Sequence, residues 1–293
     1  MLYATLPTML DLSGKTVIIT GANTGIGKIT AAALAKRGAH VVVACRSKEK
    51  TEPVIAEIRA SAGHDRVEWV GCDLSDLASV RQAADGLLQR ALPIHVLINN
   101  AGLAGKPGLT KDGFEITFGT NHLGHYLWTR LLQPALVTTD AAAPARIVNV
   151  ASKAHYQAKS IDWAAQRERT KSRTGLTEYS VSKLCNVLFT KELARRAGDQ
   201  ALRTYALHPG VVATDVWRHV PSPFRWVIKK FMITPEQGAA TSIKTAADPA
   251  LANQTGRYYD ADGREKNTSR LADDTELARE LWNRSAQWVG LPE

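Results

Sequence analysis

The feature that most constrains the fold is a glycine-rich loop between a short apolar run and an alanine-rich segment. Val17-Ile18-Ile19-Thr20 is a β-branched run typical of a buried strand, and residues 29–36 have the composition of a helix. Between them lies Gly21-Ala22-Asn23-Thr24-Gly25-Ile26-Gly27. In a strand, glycine loop and helix of this kind, backbone amides at the helix start can bind a pyrophosphate. The spacing differs from the usual Gly-x-Gly-x-x-Gly, so a structural turn is the alternative.

Strand-like runs and helical segments alternate along the 293 residues to near the end of the chain, without a linker. This alternation predicts one α/β domain over residues 14–293, behind an N-terminal extension at 1–13. We expect a Rossmann-like, doubly wound, largely parallel sheet of about seven strands, with helices on both faces. After the first strand, the predicted strands are 40–44, 67–72, 96–98, 146–150, 204–207 and 256–259, and 275–289 is a closing helix.

Composition excludes several classes of protein. With 44% hydrophobic and 22% charged residues, the chain has the balance of an ordinary soluble globular protein. Its three scattered cysteines are too few for a disulfide framework, and His122 and His125 have no apparent third ligand, so no metal site is expected. Neither a basic leader nor an apolar run of about 20 residues is present. We therefore expect a cytoplasmic protein.

The chain is basic, with 37 Lys and Arg against 28 Asp and Glu and a net charge of +9. Such an excess favours anionic partners. No nucleic-acid-binding motif is recognisable, so no nucleic-acid partner is expected. An anionic cofactor or a peripheral contact with a negatively charged membrane surface explains the charge better, and an incidental excess of solvated side chains is the plain alternative.

The end of the second predicted strand indicates which dinucleotide the glycine loop would bind. An NAD site usually offers a carboxylate to the ribose 2′-hydroxyl about 20 residues past the loop. Here that place holds Cys45 and Arg46. With no acid to repel a 2′-phosphate and a guanidinium able to bind it in bidentate fashion, the sequence predicts NADP. Lys28 and Lys48 would add positive charge, and a solvated loop position for Arg46 is the alternative.

Short polar residues and glycine follow the third and fourth strands, at the edge where open parallel sheets bind ligands. Asp73-Leu74 ends the third strand, and Asn99-Asn100-Ala101-Gly102 ends the fourth. Asp73 could accept from an adenine amino group or cap the helix that follows, where Ser75 and Asp76 are also good caps. Asn121 is expected to begin the next helix, at its N-cap.

A phenol and an ammonium lie four residues apart in Tyr179-Ser180-Val181-Ser182-Lys183, within a segment typical of a helix. At that spacing both side chains share one helix face. A free phenol has a pKa of about 10, and a fixed cation beside it is expected to lower that pKa toward neutrality. A solvated helix face would carry the same pair, so other residues must support catalysis. Ser152 follows the fifth strand, and the long loop at 153–178 is expected to border a substrate site.

Taken in order, these residues resemble the short-chain dehydrogenase/reductase family, over nearly the whole chain. Within that family, Ala44-Cys45-Arg46, residues 120–125, the lengthened loop before Tyr179 and the tail from Thr234 resemble the retinol dehydrogenase branch, which is itself similar to light-dependent protochlorophyllide reductases. The motifs that carry the family resemblance are Thr20-Gly21-x-x-x-Gly25-Ile26-Gly27, Asn99-Asn100-Ala101-Gly102, Asn121, Ser152, Tyr179-x-x-x-Lys183 and Pro209-Gly210.

The resemblance implies a catalytic set of four residues. Tyr179 would exchange a proton with the substrate oxygen while hydride passes to or from the nicotinamide of NADP(H). Lys183 would lower the phenol pKa and hydrogen-bond the nicotinamide ribose, and Ser152 would donate to the substrate oxygen. Asn121 would hold a water that links Lys183 to solvent. Together with the positions derived above, the expected cofactor-binding residues are Gly21, Asn23, Thr24, Gly25, Ile26, Gly27, Arg46, Lys48, Asp73, Leu74, Asn99, Ala101, Gly102, Tyr179, Lys183, Pro209, Gly210, Val212 and Thr214.

The function implied is an NADP-dependent oxidoreductase that interconverts an alcohol and an aldehyde or ketone on a lipophilic, retinoid-like substrate. The nearest alternative is the same chemistry on a steroid, quinone or other carbonyl. An NADP(H)-binding redox sensor without turnover is the alternative from another class, although intact Ser152, Tyr179 and Lys183 argue against it. The sequence leaves both a monomer and a homo-oligomer open.

A second insertion, at 215–234, contains a predicted basic amphipathic helix. Within residues 222–232, Phe224, Val227, Ile228 and Phe231 follow an i, i+3, i+4, i+7 spacing. This apolar stripe could cover a lipophilic substrate, rest on a membrane surface or pack on the core.

Overall fold

The computed structural model of the chain describes residues 11–136, 143–210 and 233–293. Within these ranges the strands are β1 (Thr16–Thr20), β2 (His40–Cys45), β3 (Val67–Gly71), β4 (Val96–Asn99), β5 (Ala145–Val150), β6 (Leu202–Leu207) and β7 (Arg257–Tyr259). They form one sheet in the order β3-β2-β1-β4-β5-β6-β7, and every pairing is parallel. The predicted doubly wound, Rossmann-like sheet is therefore confirmed.

Helices cover both faces of the sheet, as predicted. They are α1 (Gly25–Ala35), α2 (Lys48–Ala62), α3 (Leu77–Leu88), α4 (Ile116–Phe118), α5 (Gly124–Leu132), α6 (Leu176–Ala197), α7 (Pro235–Ala247) and α8 (Thr275–Val289). The buried side chains of α1, α2 and α7 belong to one hydrophobic cluster, and those of α3, α5, α6 and α8 belong to another. The two clusters are the two sides of a three-layer α/β domain.

The strands alternate their side chains between these two clusters. In β1, Ile18 belongs to the cluster of α3, α5, α6 and α8, whereas Val17 and Ile19 belong to the cluster of α1, α2 and α7. All three are at most 1% exposed. A parallel sheet covered on both faces needs an apolar side chain at successive positions, which is why the first strand is a continuous β-branched run.

The strand order reverses between β1 and β4, which are neighbours in the sheet. From β1 the chain runs outward to β2 and β3, and it then returns to continue on the other side of β1 through β4. The loops after β1 and β4 diverge at such a point, and the crevice between them is where open α/β sheets bind their ligands.

The helix that carries Asn121 differs from the prediction. It begins at Ile116, where the Glu115 carboxylate accepts two backbone N–H groups of the first turn at 2.7 Å. Asn121 therefore lies inside a π turn, Gly119–Leu123, that joins α4 to α5, and it is not an N-cap. Single π turns inside α-helices are rare and often occur at functional sites.

The expected amphipathic helix at 222–232 lies outside the described residues, as do Val212 and Thr214. At the N-terminus, Leu12 is buried and its N–H donates to the Arg37 carbonyl at 2.8 Å, so packed structure begins before residue 14.

None of the described helices is long and apolar enough to cross a membrane. The described residues also contain no group of three or more His, Cys, Asp or Glu able to hold a metal ion.

Candidate active site

A cleft of about 810 Å³ lies at the carboxyl edge of the sheet and is lined by the segments that follow β1 to β6. This is the position expected for the ligand site of a doubly wound sheet. The cleft brings together most of the predicted site residues, namely Gly21, Asn23, Thr24, Gly25, Ile26, Gly27, Arg46, Asp73, Leu74, Ala101, Gly102, Ser152, Tyr179, Lys183, Pro209 and Gly210.

The glycine loop leads directly into α1 and exposes the start of that helix to the cleft. Thr24 is the N-cap residue, and within the described residues its side chain accepts no hydrogen bond from the first turn. The N–H groups of that turn are therefore available to an anion. A Cβ at Gly27 would lie 2.6 Å from the Gly21 carbonyl oxygen and 2.5 Å from Asn100 Nδ2, so the loop requires glycine at this position.

The prediction that Asn99 lines the cofactor site is wrong, and its neighbour Asn100 lines the cleft instead. Asn99 was predicted to face the cofactor, but it is 1% exposed and its Nδ2 donates to Thr129 and Asn149 at 2.8 Å. As the last residue of β4 it follows the strand alternation into the helix layer. Asn100 lines the cleft instead, and its Nδ2 donates to the Thr20 carbonyl at 2.8 Å. This contact of Asn100 with the end of β1 was not predicted, although Asn100 belongs to the Asn99-Asn100-Ala101-Gly102 motif.

The region next to β2 contains the predicted phosphate-binding cations. Arg46 is exposed on the cleft wall, and among the described residues its guanidinium has no acidic partner. The Lys48 ammonium lies 5.7 Å from the centre of the Trp69 ring and Lys28 pairs with a carboxylate of α2, so neither lines the cleft. Lys50 was not among the predicted residues, but it lines the cleft. Two residues apart, Lys48 and Lys50 project from opposite sides of α2.

Asp73, which follows β3, was predicted either to contact adenine or to cap the next helix, and the structure assigns the cap to Asp76. Asp76 is the N-cap of α3 and accepts two N–H groups of its first turn at 3.1 and 3.3 Å. Asp73 lines the cleft, and its Oδ1 accepts from the Ser75 N–H at 2.9 Å and the Ser75 hydroxyl at 2.7 Å. A Cβ at Gly124 would lie 2.4 Å from the Leu74 carbonyl oxygen, so glycine at the start of α5 allows this loop to approach.

Tyr179 and Lys183 share one face of α6, as predicted, and both are buried at 6% and 3% exposure. Burial raises the pKa of Tyr179 to about 12, and a hydrogen bond with the Ser152 side chain opposes this effect. Burial also lowers the pKa of Lys183 to about 7. The expected lowering of the phenol pKa by Lys183 is therefore not found, because loss of water drives each group toward its neutral form.

Lys183 is held at the end of β5. Its Nζ donates to the Val150 carbonyl at 2.8 Å and lies 5.6 Å from the centre of the Tyr179 ring. Ser152 follows two residues later, and its Oγ accepts from the Ala154 N–H at 3.1 Å. The end of β5 thus positions both the Ser152 hydroxyl and the Lys183 ammonium near the phenol of Tyr179.

Asn121 lies behind the cleft wall, where it is completely buried. Its Nδ2 donates to the Leu103 carbonyl and to Ser182 Oγ, both at 3.0 Å, and its Oδ1 accepts from the Leu103 N–H at 2.9 Å. A Cβ at Gly102 would lie 3.4 Å from Asn121 Oδ1 and 3.5 Å from Lys183 Nζ. Asn121 therefore ties the loop after β4 to α6 close to Lys183, and its predicted relay water stays a prediction.

The long loop at 153–178 borders the cleft, as expected. Ala154, Gln157 and the first residue of α6, Leu176, line it from this side. Leu103 and Ile116 line it as well, so the cleft lining includes apolar side chains from several segments of the chain. No sequence pattern marks these apolar residues, because they come from separate segments that only the folded chain brings to one cleft.

The residues present suit a bound dinucleotide. The start of α1 offers free N–H groups next to glycines whose Cβ atoms would collide, and Arg46 offers an unpaired guanidinium in the described chain. Both features favour the phosphate groups of such a ligand.

Comparison with known proteins identifies the family. The model of the family described as short chain dehydrogenase matches residues 15–223. Human retinol dehydrogenase 11 is 44% identical over 288 residues, which cover 97% of this chain and 88% of that protein. The crystal structure of an uncharacterised protein from Mycobacterium paratuberculosis has a TM-score of 0.78 at 34% identity, and covers 97% of this chain and 96% of that one.

A third relative was solved with a cofactor bound. The structure of 3-ketoacyl-(acyl-carrier-protein) reductase from Brucella melitensis, complexed with NADH, has a TM-score of 0.65 at 30% identity, over 86% of this chain and 98% of that one. The sheet order, the glycine loop and the Tyr179 helix agree with these similarities in sequence and structure. The chain belongs to the short-chain dehydrogenase/reductase family.

Proposed function

We propose that this chain is an NADP(H)-dependent oxidoreductase that interconverts lipophilic, retinoid-like aldehydes or ketones and the corresponding alcohols. The observation that carries the proposal is the meeting of Ser152, Tyr179 and Lys183 in the cleft that the glycine loop also lines. A hydroxyl, a phenol and an ammonium at one point form a proton-transfer site, and the loop is suited to a nicotinamide dinucleotide.

The three side chains divide the acid–base work. A bound nicotinamide supplies the hydride chemistry. Ser152 donates a hydrogen bond to the substrate oxygen and stabilises the charge that develops there. Tyr179, whose pKa is raised to about 12, is protonated at neutral pH and donates its proton to that oxygen. Lys183, whose pKa is about 7, holds a second proton near the phenol, and Asn121 anchors the water through which it exchanges with solvent.

The preference for NADP rests on the end of β2. Arg46 and Lys50 line the cleft there, and Cys45 stands where an NAD-binding relative would carry a carboxylate. A guanidinium is suited to bidentate binding of a 2′-phosphate. The glycine loop would hold the pyrophosphate, and Asp73 would accept from the adenine amino group.

A lipophilic substrate is supported by apolar side chains in the cleft. Leu103, Ile116 and Leu176 line it together with Ser152, Tyr179 and Lys183. Relatives of this chain include proteins named for retinol, and apolar side chains in the same cleft as a proton donor suit a long hydrocarbon that ends in an aldehyde or alcohol.

The enzyme is tested by turnover of purified protein with NADPH and a panel of carbonyls: all-trans-retinal, a straight-chain aldehyde, a steroid ketone and a quinone. We expect NADPH oxidation with a lipophilic aldehyde, and a loss of kcat of about 10²–10⁴-fold in Tyr179→Phe, because that variant lacks the proton donor. Highest activity on the steroid or the quinone would move the proposal to its nearest alternative. Tight NADPH binding with no turnover of any carbonyl would refute it and favour a redox sensor.

The cofactor preference is tested by titration with NADPH and NADH. Arg46→Ala is expected to weaken NADPH binding about 10–100-fold and to leave NADH binding unchanged, because a charge-assisted hydrogen bond contributes about 1.5–3 kcal/mol. Lys48→Ala is the matched control, since it removes an equal charge nearby from a side chain that lies on Trp69. Equal affinities of the wild type for the two cofactors would refute the preference.

A further inference from the structure

His125 of α5 is a buried histidine whose ring contacts two parts of the active-site framework. We propose that His125 is a positioning residue: through Thr20 it fixes the loops that hold the cofactor, and through the Asn121 carbonyl it fixes the π turn behind Lys183. This role deepens the proposed function and rests on it.

The hydrogen bonds of Thr20 determine what one ring nitrogen does. Thr20 Oγ1 accepts from the N–H groups of Asn100 and Ala101, each at 3.0 Å. A hydroxyl has two acceptor positions and one donor, so its proton must be donated elsewhere. His125 Nε2 lies 2.8 Å away, whereas the Ile98 carbonyl oxygen is at 3.5 Å. Nε2 is therefore the acceptor, and it carries no proton.

The other ring nitrogen follows from this assignment. A neutral imidazole with an unprotonated Nε2 carries its proton on Nδ1. His125 Nδ1 lies 2.9 Å from the Asn121 carbonyl oxygen, to which it donates. Both nitrogens thus have one partner of the correct kind. Burial lowers the pKa of His125 to about 4, which keeps the ring neutral at physiological pH.

These two hydrogen bonds connect the loops after β1 and β4 with the π turn that carries Asn121. Thr20 ends β1 just before the glycine loop, and the N–H groups that it accepts belong to the loop after β4. Asn121 holds Leu103 and Ser182 next to Lys183. A displacement of about 1 Å between reacting groups can cost about 10²-fold in rate. Loss of the hydrogen bonds that this buried ring makes to the loops and the π turn is therefore expected to lower the catalytic rate.

His122 provides a matched control on the same stretch of helix. It is also buried, and burial lowers its pKa to about 3. Its Nε2, however, lies 3.0 Å from Ser285 Oγ of α8, which is not one of the cleft-lining residues. Substitutions of His122 therefore report the cost of changing a buried histidine without disturbing the loops at Thr20.

Two amide substitutions separate the two hydrogen bonds of His125. In His125→Asn the side-chain NH₂ occupies the position of Nδ1 and can still donate to Asn121, but nothing accepts from Thr20. In His125→Gln the side-chain oxygen reaches the position of Nε2 and can accept from Thr20, but the donor to Asn121 is lost. His125→Phe removes both hydrogen bonds at similar volume.

The readouts are the NADPH dissociation constant, by direct titration, and kcat at saturating NADPH. We expect His125→Asn to weaken NADPH binding about 10-fold with kcat within about threefold, and His125→Gln to lower kcat about 10-fold with NADPH affinity within about threefold. His125→Phe should show both the weaker NADPH binding and the lower kcat. Equivalent His122 variants should lower the melting temperature and leave the NADPH dissociation constant within about threefold.

Equal losses in the Asn and Gln variants, or lower thermal stability with both readouts intact, would overturn the proposal and make His125 an ordinary core residue. If the wild type binds NADPH but reduces no carbonyl, the proposed function fails, while the affinity difference between the two variants still decides the role at Thr20. If the variants do not fold, the nitrogen-15 spectrum of histidine-labelled wild-type protein decides. It should show His125 protonated on Nδ1, and protonation on Nε2 would refute the assignment.

Discussion

Replacement of Lys183 by methionine is expected to stabilise the protein while it abolishes turnover. Lys183 is 3% exposed and keeps its ammonium in a buried site where one carbonyl oxygen, that of Val150, accepts from it at 2.8 Å. Methionine has a similar length and no charge to bury. The variant should therefore lose the proton chemistry and gain free energy of unfolding, a combination typical of functional sites.

The size of the gain follows from the pKa of Lys183, which burial lowers from 10.5 to about 7. A group with a lowered folded-state pKa loses stability as the pH falls from the unfolded to the folded pKa, because the unfolded chain binds a proton that the folded chain resists. For Lys183 this loss is about 4 kcal/mol at pH 7 and about 1.5 kcal/mol at pH 9.5.

The lost hydrogen bond offsets part of this gain. A charge-assisted hydrogen bond contributes about 1.5–3 kcal/mol, and Asn186 Nδ2 still lies 3.4 Å from the Val150 oxygen in the variant's starting geometry. We therefore expect Lys183→Met to be more stable than the wild type by about 1–3 kcal/mol at pH 7, and this advantage should fall by about 3 kcal/mol at pH 9.5.

Urea unfolding followed by tryptophan fluorescence at both pH values measures these differences. Lys244→Met is the matched control, because Lys244 Nζ also donates to a backbone carbonyl, that of Gly263 at 2.8 Å, from a partly exposed position on α7. If the stability difference between Lys183→Met and the wild type were the same at both pH values, the reasoning from burial would be refuted. A variant less stable than the wild type at pH 7 would refute it as well.

Further substitutions test the glycine loop and the catalytic hydroxyl. Gly27→Ala places a Cβ 2.5 Å from Asn100 Nδ2 and should weaken NADPH binding at least about 10-fold in a titration, and unchanged affinity would contradict the close approach. Gly86→Ala, in α3 with no atom within 4 Å of the new Cβ, should leave NADPH affinity unchanged and raise the free energy of unfolding by about 0.5–1 kcal/mol. Ser152→Ala should lower kcat about 10²–10³-fold at unchanged cofactor affinity, and an equal loss of affinity would argue against its role as donor to the substrate.

The sheet and the position of the site were predictable from the sequence for a simple physical reason. A parallel sheet buried on both faces needs continuous β-branched runs, and Val17-Ile18-Ile19 is one of them. Since all carboxyl ends of such strands meet at one edge, the residues after each run converge on one cleft. Arg46 and Ser152, which follow β2 and β5, could be assigned to it on this ground, whereas Tyr179 was assigned through the resemblance of its motif to the short-chain dehydrogenase/reductase family.

The geometry of Asn121 was not predictable in the same way. Local propensity favours asparagine at an N-cap, whereas the observed helix begins earlier because the buried Glu115 carboxylate caps it. The helix also passes close to the loop after β3, where Gly124 contacts the Leu74 carbonyl. The Glu115 cap is a local contact that competes with a cap at Asn121, whereas the approach of Gly124 to Leu74 joins residues that only the tertiary fold brings together.

Two other differences depend on where strands end and on how deeply side chains are buried. Asn99 and Asn100 are adjacent, and which of them faces the cleft depends on the residue at which β4 stops alternating. The pKa of Tyr179 depends on burial, which the four-residue spacing to Lys183 does not reveal. Sequence spacing therefore predicted which groups meet, but not how water exclusion changes their proton affinities.

The most direct test of the proposed function is transfer of deuterium from NADPH with both hydrogens at C4 of the nicotinamide replaced by deuterium to all-trans-retinal, followed by mass spectrometry. We expect the wild-type protein to form deuterated retinol and Tyr179→Phe, at equal NADPH affinity, to form almost none. Bound NADPH that retains its deuterium with every carbonyl of the panel would contradict the assignment of this chain as a carbonyl-reducing enzyme.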